Sequence, residues 1–254
     1  MTRDWNARSY ERVSGPQAVW AERVLDRLAL RGDEAVLDAG CGSGRVTRML
    51  LERLPRGRVV AVDSAPSMVA EARKSLDPER TTVFEADLTD LRLAGAVDAV
   101  FSNAVFHWIL DHDGLFARLL AALRPGGRLV AQCGGRGNVE RFQEAAQEVG
   151  EREPFAEFLL GWSGPWNFAG PEETAERLRH AGFEAVETDL ESWPVTPDEP
   201  VEYLRTVCLG PHLERLPEEL RGPYAEAVAA ACGLPLELDY VRLNLSGRRP
   251  LALA

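Results

Sequence analysis

From Glu34 to Gly44 the chain reads Glu-Ala-Val-Leu-Asp-Ala-Gly-Cys-Gly-Ser-Gly, a short apolar run closed by three alternate glycines, and an amphipathic stretch starts at Arg45. A run of this kind is a strand buried on both faces, and glycines at its end clear side chains away so that backbone can approach a ligand. Such a segment calls for a parallel sheet with helical crossovers. The rest of the first half agrees. Apolar runs at 58–62, 82–86, 97–102 and 127–133 alternate with helical stretches at 45–54, 65–76 and 115–123, so five strands share one sheet. Pro66 suits the first turn of the second helix.

Beyond Cys133 the pattern loosens into Gly134-Gly135-Arg136-Gly137-Asn138, a helix over 139–149, and an aromatic segment with Phe155, Phe158, Trp162, Trp166 and Phe168. That segment is a cap or pocket wall, or ordinary packing beneath a loop. A helix over 171–181 stops at Gly182, a strand follows over 185–193, then two or three helices to Cys232 and an alternating strand over 237–245. The expectation is one domain over 1–254, with cap segments at 134–183 and 196–235.

Composition narrows the chemistry. An apolar share of 45% rules out a disordered chain, and a net charge of −11 argues against a nucleic-acid partner, whose affinity comes from Lys and Arg. No apolar stretch approaches the roughly 20 residues needed to cross a bilayer, so no membrane partner is expected. The opening residues lack the order of a signal peptide, and a cytoplasmic location is expected. Cys41, Cys133, Cys208 and Cys232 are too scattered for a zinc site or disulfide framework, and Lys74, the single lysine, falls on an exposed helix.

The glycine loop is not a dinucleotide fingerprint, because Arg45 stands where G-x-G-x-x-G needs its last glycine. Asp38 would repel a pyrophosphate but can accept from a cationic amine. Asp63 closes the second strand, placed for ribose hydroxyls, and Asp87 closes the third, placed for an adenine amine. Each alone is more often a cap or turn residue. Together they describe a ligand with an amine, a ribose and an adenine, and without phosphates.

These motifs, with Phe101-Ser102-Asn103-Ala104-Val105-Phe106-His107-Trp108 and Leu123-Arg124-Pro125-Gly126-Gly127, resemble those of the class I S-adenosylmethionine-dependent methyltransferases, most strongly over residues 1–135. The segment ending in His107-Trp108 looks like that of the trans-aconitate and juvenile hormone acid methyltransferases, and more distantly the malonyl-carrier-protein methyltransferases, groups that esterify a carboxylate. The resemblance implies an α/β fold: a doubly wound, mostly parallel Rossmann-like sheet of seven strands, the last antiparallel, with a helical cap. It also implies S-adenosylmethionine as cofactor. Asp38, Gly40, Cys41, Gly42 and Gly44 would line its methionine end, Asp63, Ser64 and Met68 its ribose and adenine surroundings, Asp87 and Leu88 the adenine, and Asn103 the inner wall.

The stretch from Asp4 to Tyr10, with Gln17, also resembles that family, which makes residues 1–20 a lid and puts Tyr10, as a catalytic residue, and Gln17 near the sulfonium. The alternative is that Trp5 and Tyr10 anchor a terminal helix. His107 is expected to be catalytic, as a substrate donor or a base, or else to hold its loop. His112 is read as capping or preceding the next helix, and His180 and His212 as surface residues. Without a His/Cys cluster no metal is expected. Trp108, Arg136, Trp162 and Trp166 are substrate candidates; Arg136, Arg141 and Arg205 would offset a substrate anion, or are solvated helix-face arginines.

A carboxylate acceptor, with a pKa of about 4.3, needs no base at neutral pH. With the resemblance at Ser102 to Trp108 and the lack of a clear catalytic base, esterification of a small carboxylic acid is the leading reading. Methylation of a neutral small molecule at O, N or C, and a non-catalytic cofactor-binding protein, are the alternatives. A monomer or homodimer is expected.

Overall fold

The computed structural model describes residues 15–233 and 235–252, with side chains from Trp20 onward. Seven strands form one sheet: β1 (Ala35–Ala39), β2 (Arg58–Asp63), β3 (Thr81–Glu85), β4 (Val97–Asn103), β5 (Leu123–Gly134), β6 (Glu184–Val195) and β7 (Leu238–Arg248). Their order is β3-β2-β1-β4-β5-β7-β6, with β7 antiparallel to both its neighbours and the other pairings parallel. The doubly wound, seven-stranded expectation therefore holds. The order reverses between β1 and β4, which opens a crevice at their carboxyl ends.

The helices are α1 (Gly15–Leu28), α2 (Arg45–Arg53), α3 (Pro66–Ser75), α4 (His112–Ala122), α5 (Glu140–Gly150), α6 (Ala156–Leu159), α7 (Pro171–Ala181), α8 (Pro200–Tyr203), α9 (Gly210–Arg215) and α10 (Glu218–Cys232). Successive strand residues feed opposite cores, as a period of two requires. Val36 packs with Val24, Leu25, Leu28, Leu50 and Leu54 under α1 and α2. Leu37 packs with Leu115, Phe116, Leu119 and Leu178 under α4 and α7. A third core, separate from both, lies within the helices that follow β5 and β6, where Phe142, Leu159, Leu204, Tyr224 and Val228 meet Trp20 of α1 and Tyr240 of β7.

Three differences from the sequence reading have local causes. Helix α4 begins at His112, not at 115, because Asp111 caps it: its Oδ1 accepts from the Gly114 N–H at 2.8 Å. His112 is buried, with its Nε2 3.0 Å from the Phe106 carbonyl. Strand β5 begins at Leu123, not 127, because Leu123 already pairs with Val97 before a register shift. His212 is not a surface residue. It is 6% exposed, with its ring 4.8 Å from that of Trp162 and 5.7 Å from that of Tyr224, and burial pushes its pKa down to about 4. His180 is exposed, as read. Among the described residues no helix is long and apolar enough to cross a membrane, and no His/Cys/Asp/Glu group could hold a metal ion.

Candidate active site

The loop after β1 is pinned to β2, since the Gly40 and Cys41 N–H groups both donate to the Val62 carbonyl, at 2.8 and 2.9 Å. Its three glycines all have positive φ, yet they serve different ends. At Gly40 (φ +89°) a Cβ would stand 2.1 Å from Val105 Cγ2. At Gly42 (φ +53°) it would meet nothing within 4 Å, because that position opens on a cavity. Gly44 (φ +87°) turns the chain into α2 against Leu76. It does not line the cavity.

The cavity encloses about 800 Å³ at the carboxyl ends of β1, β2 and β4, with the third core as its roof. One side is formed by Gly40, Cys41, Gly42, Asp63, Ser64 and Met68, and continues to Asp87, Leu88 and Asn103. Asp63 ties this wall together. Its Oδ2 accepts from the Gly42 N–H and its Oδ1 from the Ala65 N–H, both at 2.9 Å, while burial raises its pKa against these bonds. Asp87 accepts from the Thr89 N–H and hydroxyl at 2.8 and 2.7 Å, so it is a turn cap and a wall residue together. Asp38 departs from expectation. It is 1% exposed, bonded to the Thr47 hydroxyl at 2.7 Å and absent from the wall, and burial lifts its pKa to about 7.

The opposite side carries His107, Trp108, Trp162, Trp166 and Phe168. Trp166 and Phe168 stack with centroids 6.0 Å apart and planes 9° apart, and Trp108 lies 5.8 Å from Trp166. Phe155 instead packs edge-on against Tyr224 at 5.1 Å, and with Phe158 belongs to the third core. The aromatic segment thus divides into core and wall.

His107 is buried, and its Nδ1 accepts from the Gly134 N–H at 3.1 Å. That bond places the ring proton on Nε2. Burial first, then the positive charge of Arg242, holds the imidazole well below its ordinary pKa. The ring is therefore neutral and presents a donor. Arg242 itself, on β7, is 2% exposed on the cavity wall with its guanidinium 4.3 Å from the Trp20 ring centroid.

The expected cations lie elsewhere. Arg136 is 62% exposed and faces Glu172 and Glu173, at 3.8 and 3.9 Å, so it is a surface ion pair and not a wall residue. Arg141 pairs with Glu237 and Asp239 outside the cavity, and Arg205 is exposed. Tyr10 and Trp5 lie outside the described residues. Gln17 is placed on α1, with its side chain outside them.

A methyltransferase-domain family model matches residues 36–127, which spans β1 to the start of β5. The trans-aconitate 2-methyltransferase of Azoarcus sp. (strain BH72) is 31% identical over 239 residues, covering 89% of this chain and 88% of its own. The chain belongs to the class I S-adenosylmethionine-dependent methyltransferases. The trans-aconitate 2-methyltransferase of Acidovorax sp. (strain JS42) is 29% identical, covering 91% of this chain and 89% of its own. In fold, this methyltransferase matches Haemonchus contortus phosphoethanolamine N-methyltransferase 2 in complex with S-adenosyl-L-methionine, with a TM-score of 0.63 and 20% identity over 96% of this chain and 56% of that one.

The wall of this methyltransferase fits its cofactor: a Cβ at Gly42 would fill open cavity, and the half-buried Asp63 carboxylate stands on the same rim. Sequence reasoning missed Arg242 and Trp20. The signal for the first was present, since Arg242 shares the alternating face of β7 with Leu238 and Tyr240, a phase that reads as inward. Trp20 carried none, because nothing local joins α1 to β7.

Proposed function

We propose that this methyltransferase esterifies a carboxylate oxygen of a small organic acid. The observation that carries the proposal is the tautomer of His107, since a neutral imidazole whose Nδ1 is engaged by Gly134 offers Nε2–H as a donor and has no lone pair to take a proton from an acceptor. A carboxylate needs none taken. The relatives support the reading, because their names state that they methylate trans-aconitate, a carboxylic acid. When bound, S-adenosylmethionine supplies an electrophilic methyl group open to in-line attack. His107 then fixes one carboxylate oxygen through Nε2–H while the other is aimed, and Trp108, Trp162 and Trp166 enclose the organic part and exclude water.

On the cofactor side, Asp63 takes the ribose, Ser64, Met68, Asp87 and Leu88 surround the adenine, and Gly40, Cys41 and Gly42 leave room for the methionine part beside Asn103. Asp38 and Gly44 support the loop from behind. The chain works as one domain with caps at 134–183 and 196–235. The protein works in the cytoplasm on small molecules, as a monomer or homodimer.

Radiolabelled methyl transfer to a panel of acids, phenols and amines tests the acceptor, and transfer confined to phenols or amines would overturn the reading. His107→Gln should lower the rate about 10- to 100-fold through lost positioning. The wild-type pH–rate profile should be flat near pH 6.5; a rising limb there that vanishes in His107→Gln would make His107 a base. Asp63→Ala should weaken S-adenosylmethionine binding tenfold or more, roughly 1.5–3 kcal/mol for a charged hydrogen bond. Unchanged affinity in calorimetry would move the ribose elsewhere.

A further inference from the structure

We propose that Arg242 and Trp20 form a subsite for a second, non-reacting carboxylate of the acceptor, and so determine which acids this enzyme selects. The inference rests on the carboxylate reading above and extends it to residues at the other end of the substrate.

Arg242 brings a guanidinium that stays charged at every physiological pH to a wall of the cavity. Its strand position fixes where. Arg242 lies in register with Gly134 of β5, whose N–H donates to His107 Nδ1, so β7 brings the guanidinium to the level of the sheet at which the imidazole is held. Two features hold the guanidinium in place. Its plane stacks over Trp20 at 4.3 Å, and its Nε donates to Gln132 Oε1 at 3.4 Å. Gln132 is oriented in turn, because its Nε2 donates to Asn244 Oδ1 at 2.7 Å and Asn244 Nδ2 donates to Asp189 Oδ2 at 2.9 Å.

Trp20 supplies an independent observation. It is 1% exposed, it lines the cavity, and its Nε1–H is buried with no acceptor among the described residues. A buried donor left without an acceptor is costly, so a ligand oxygen is its natural complement. A guanidinium and an indole N–H on the same stretch of cavity wall suit a carboxylate. The reacting carboxylate is a poor occupant, because pairing with a guanidinium ties up the lone pairs needed for attack. A second carboxylate on the same acceptor has no such conflict.

Fumarate and crotonate differ only in that a carboxylate replaces a methyl group, and trans-aconitate adds a third acid. Calorimetry of the three against S-adenosylhomocysteine-loaded protein reads the subsite directly. The wild type should bind fumarate or trans-aconitate at least thirtyfold more tightly than crotonate. In Arg242→Gln that preference should shrink to within about threefold, and Arg242→Lys, which keeps the charge but loses the fork, should fall between. Trp20→Phe, which keeps the stacking ring and removes the N–H, should lower the preference several-fold. Equal wild-type affinity for crotonate and the polyacids would overturn the subsite and leave the carboxylate reading intact; binding of none of the three would overturn both. A full preference retained in Arg242→Gln would also overturn it. Should Arg242→Gln fail to load S-adenosylhomocysteine, the wild-type ratio and the Arg242→Lys and Trp20→Phe ratios decide.

Discussion

Valine at Gly42 should abolish S-adenosylmethionine binding, a loss of at least a hundredfold in calorimetry, while the protein stays folded. The position opens on the cavity and an added Cβ touches nothing within 4 Å, so the new side chain would occupy cofactor space and not protein space. The backbone there has φ +53°, which costs a side chain about 1–2 kcal/mol. For a chain of this size that lowers the melting temperature by only some 2–8 °C. Wild-type affinity in Gly42→Val would move the cofactor off the glycine loop altogether.

Two residues earlier the opposite result is expected. Gly40→Ala should destabilise the fold by roughly 2–5 kcal/mol, the sum of a positive-φ penalty and overpacking against Val105, whose Cγ2 stands 2.1 Å from where the methyl group would be. Urea unfolding measures this. Adding Val105→Ala to the same chain should recover the overpacking part, because the two side chains share one space. A Gly40→Ala protein as stable as the wild type would mean that Val105 turns aside at no cost.

The sheet was legible because parallel strands buried on both faces must be apolar throughout, as Val36, Leu37 and Val59 to Val62 are, and because Gly182, with φ +103°, stops α7 where its sequence says. Two residues of the cavity wall were legible for a related reason: Asp63 ends β2 and Asp87 follows the end of β3, and a strand end is recognisable in sequence. The acceptor side was not. Arg136 looked like a substrate cation because it lies in a segment expected to form the cap, yet Glu172 and Glu173 claim it, and nothing near it in sequence announces them. Whether an arginine is solvated or buried depends on which distant element covers it, and Arg242 is covered by a tryptophan from α1. His212 was misplaced likewise, since only the folded third core surrounds it with Trp162, Trp166 and Tyr224.

The insertion of β7 between β5 and β6 has a consequence for a chain made residue by residue. By Gly134 all five parallel strands have been synthesised; β1 to β4 pair only within that set, while β5 keeps one edge for β7. Strand β6 comes next but has no edge of its own to join, because its sole partner among the described residues, β7, starts only at Leu238. On the ribosome β6 must wait through about forty residues of helix before it is tethered. Arg242 arrives with β7, so half of the crevice is built early and the half that tells one acid from another is completed last.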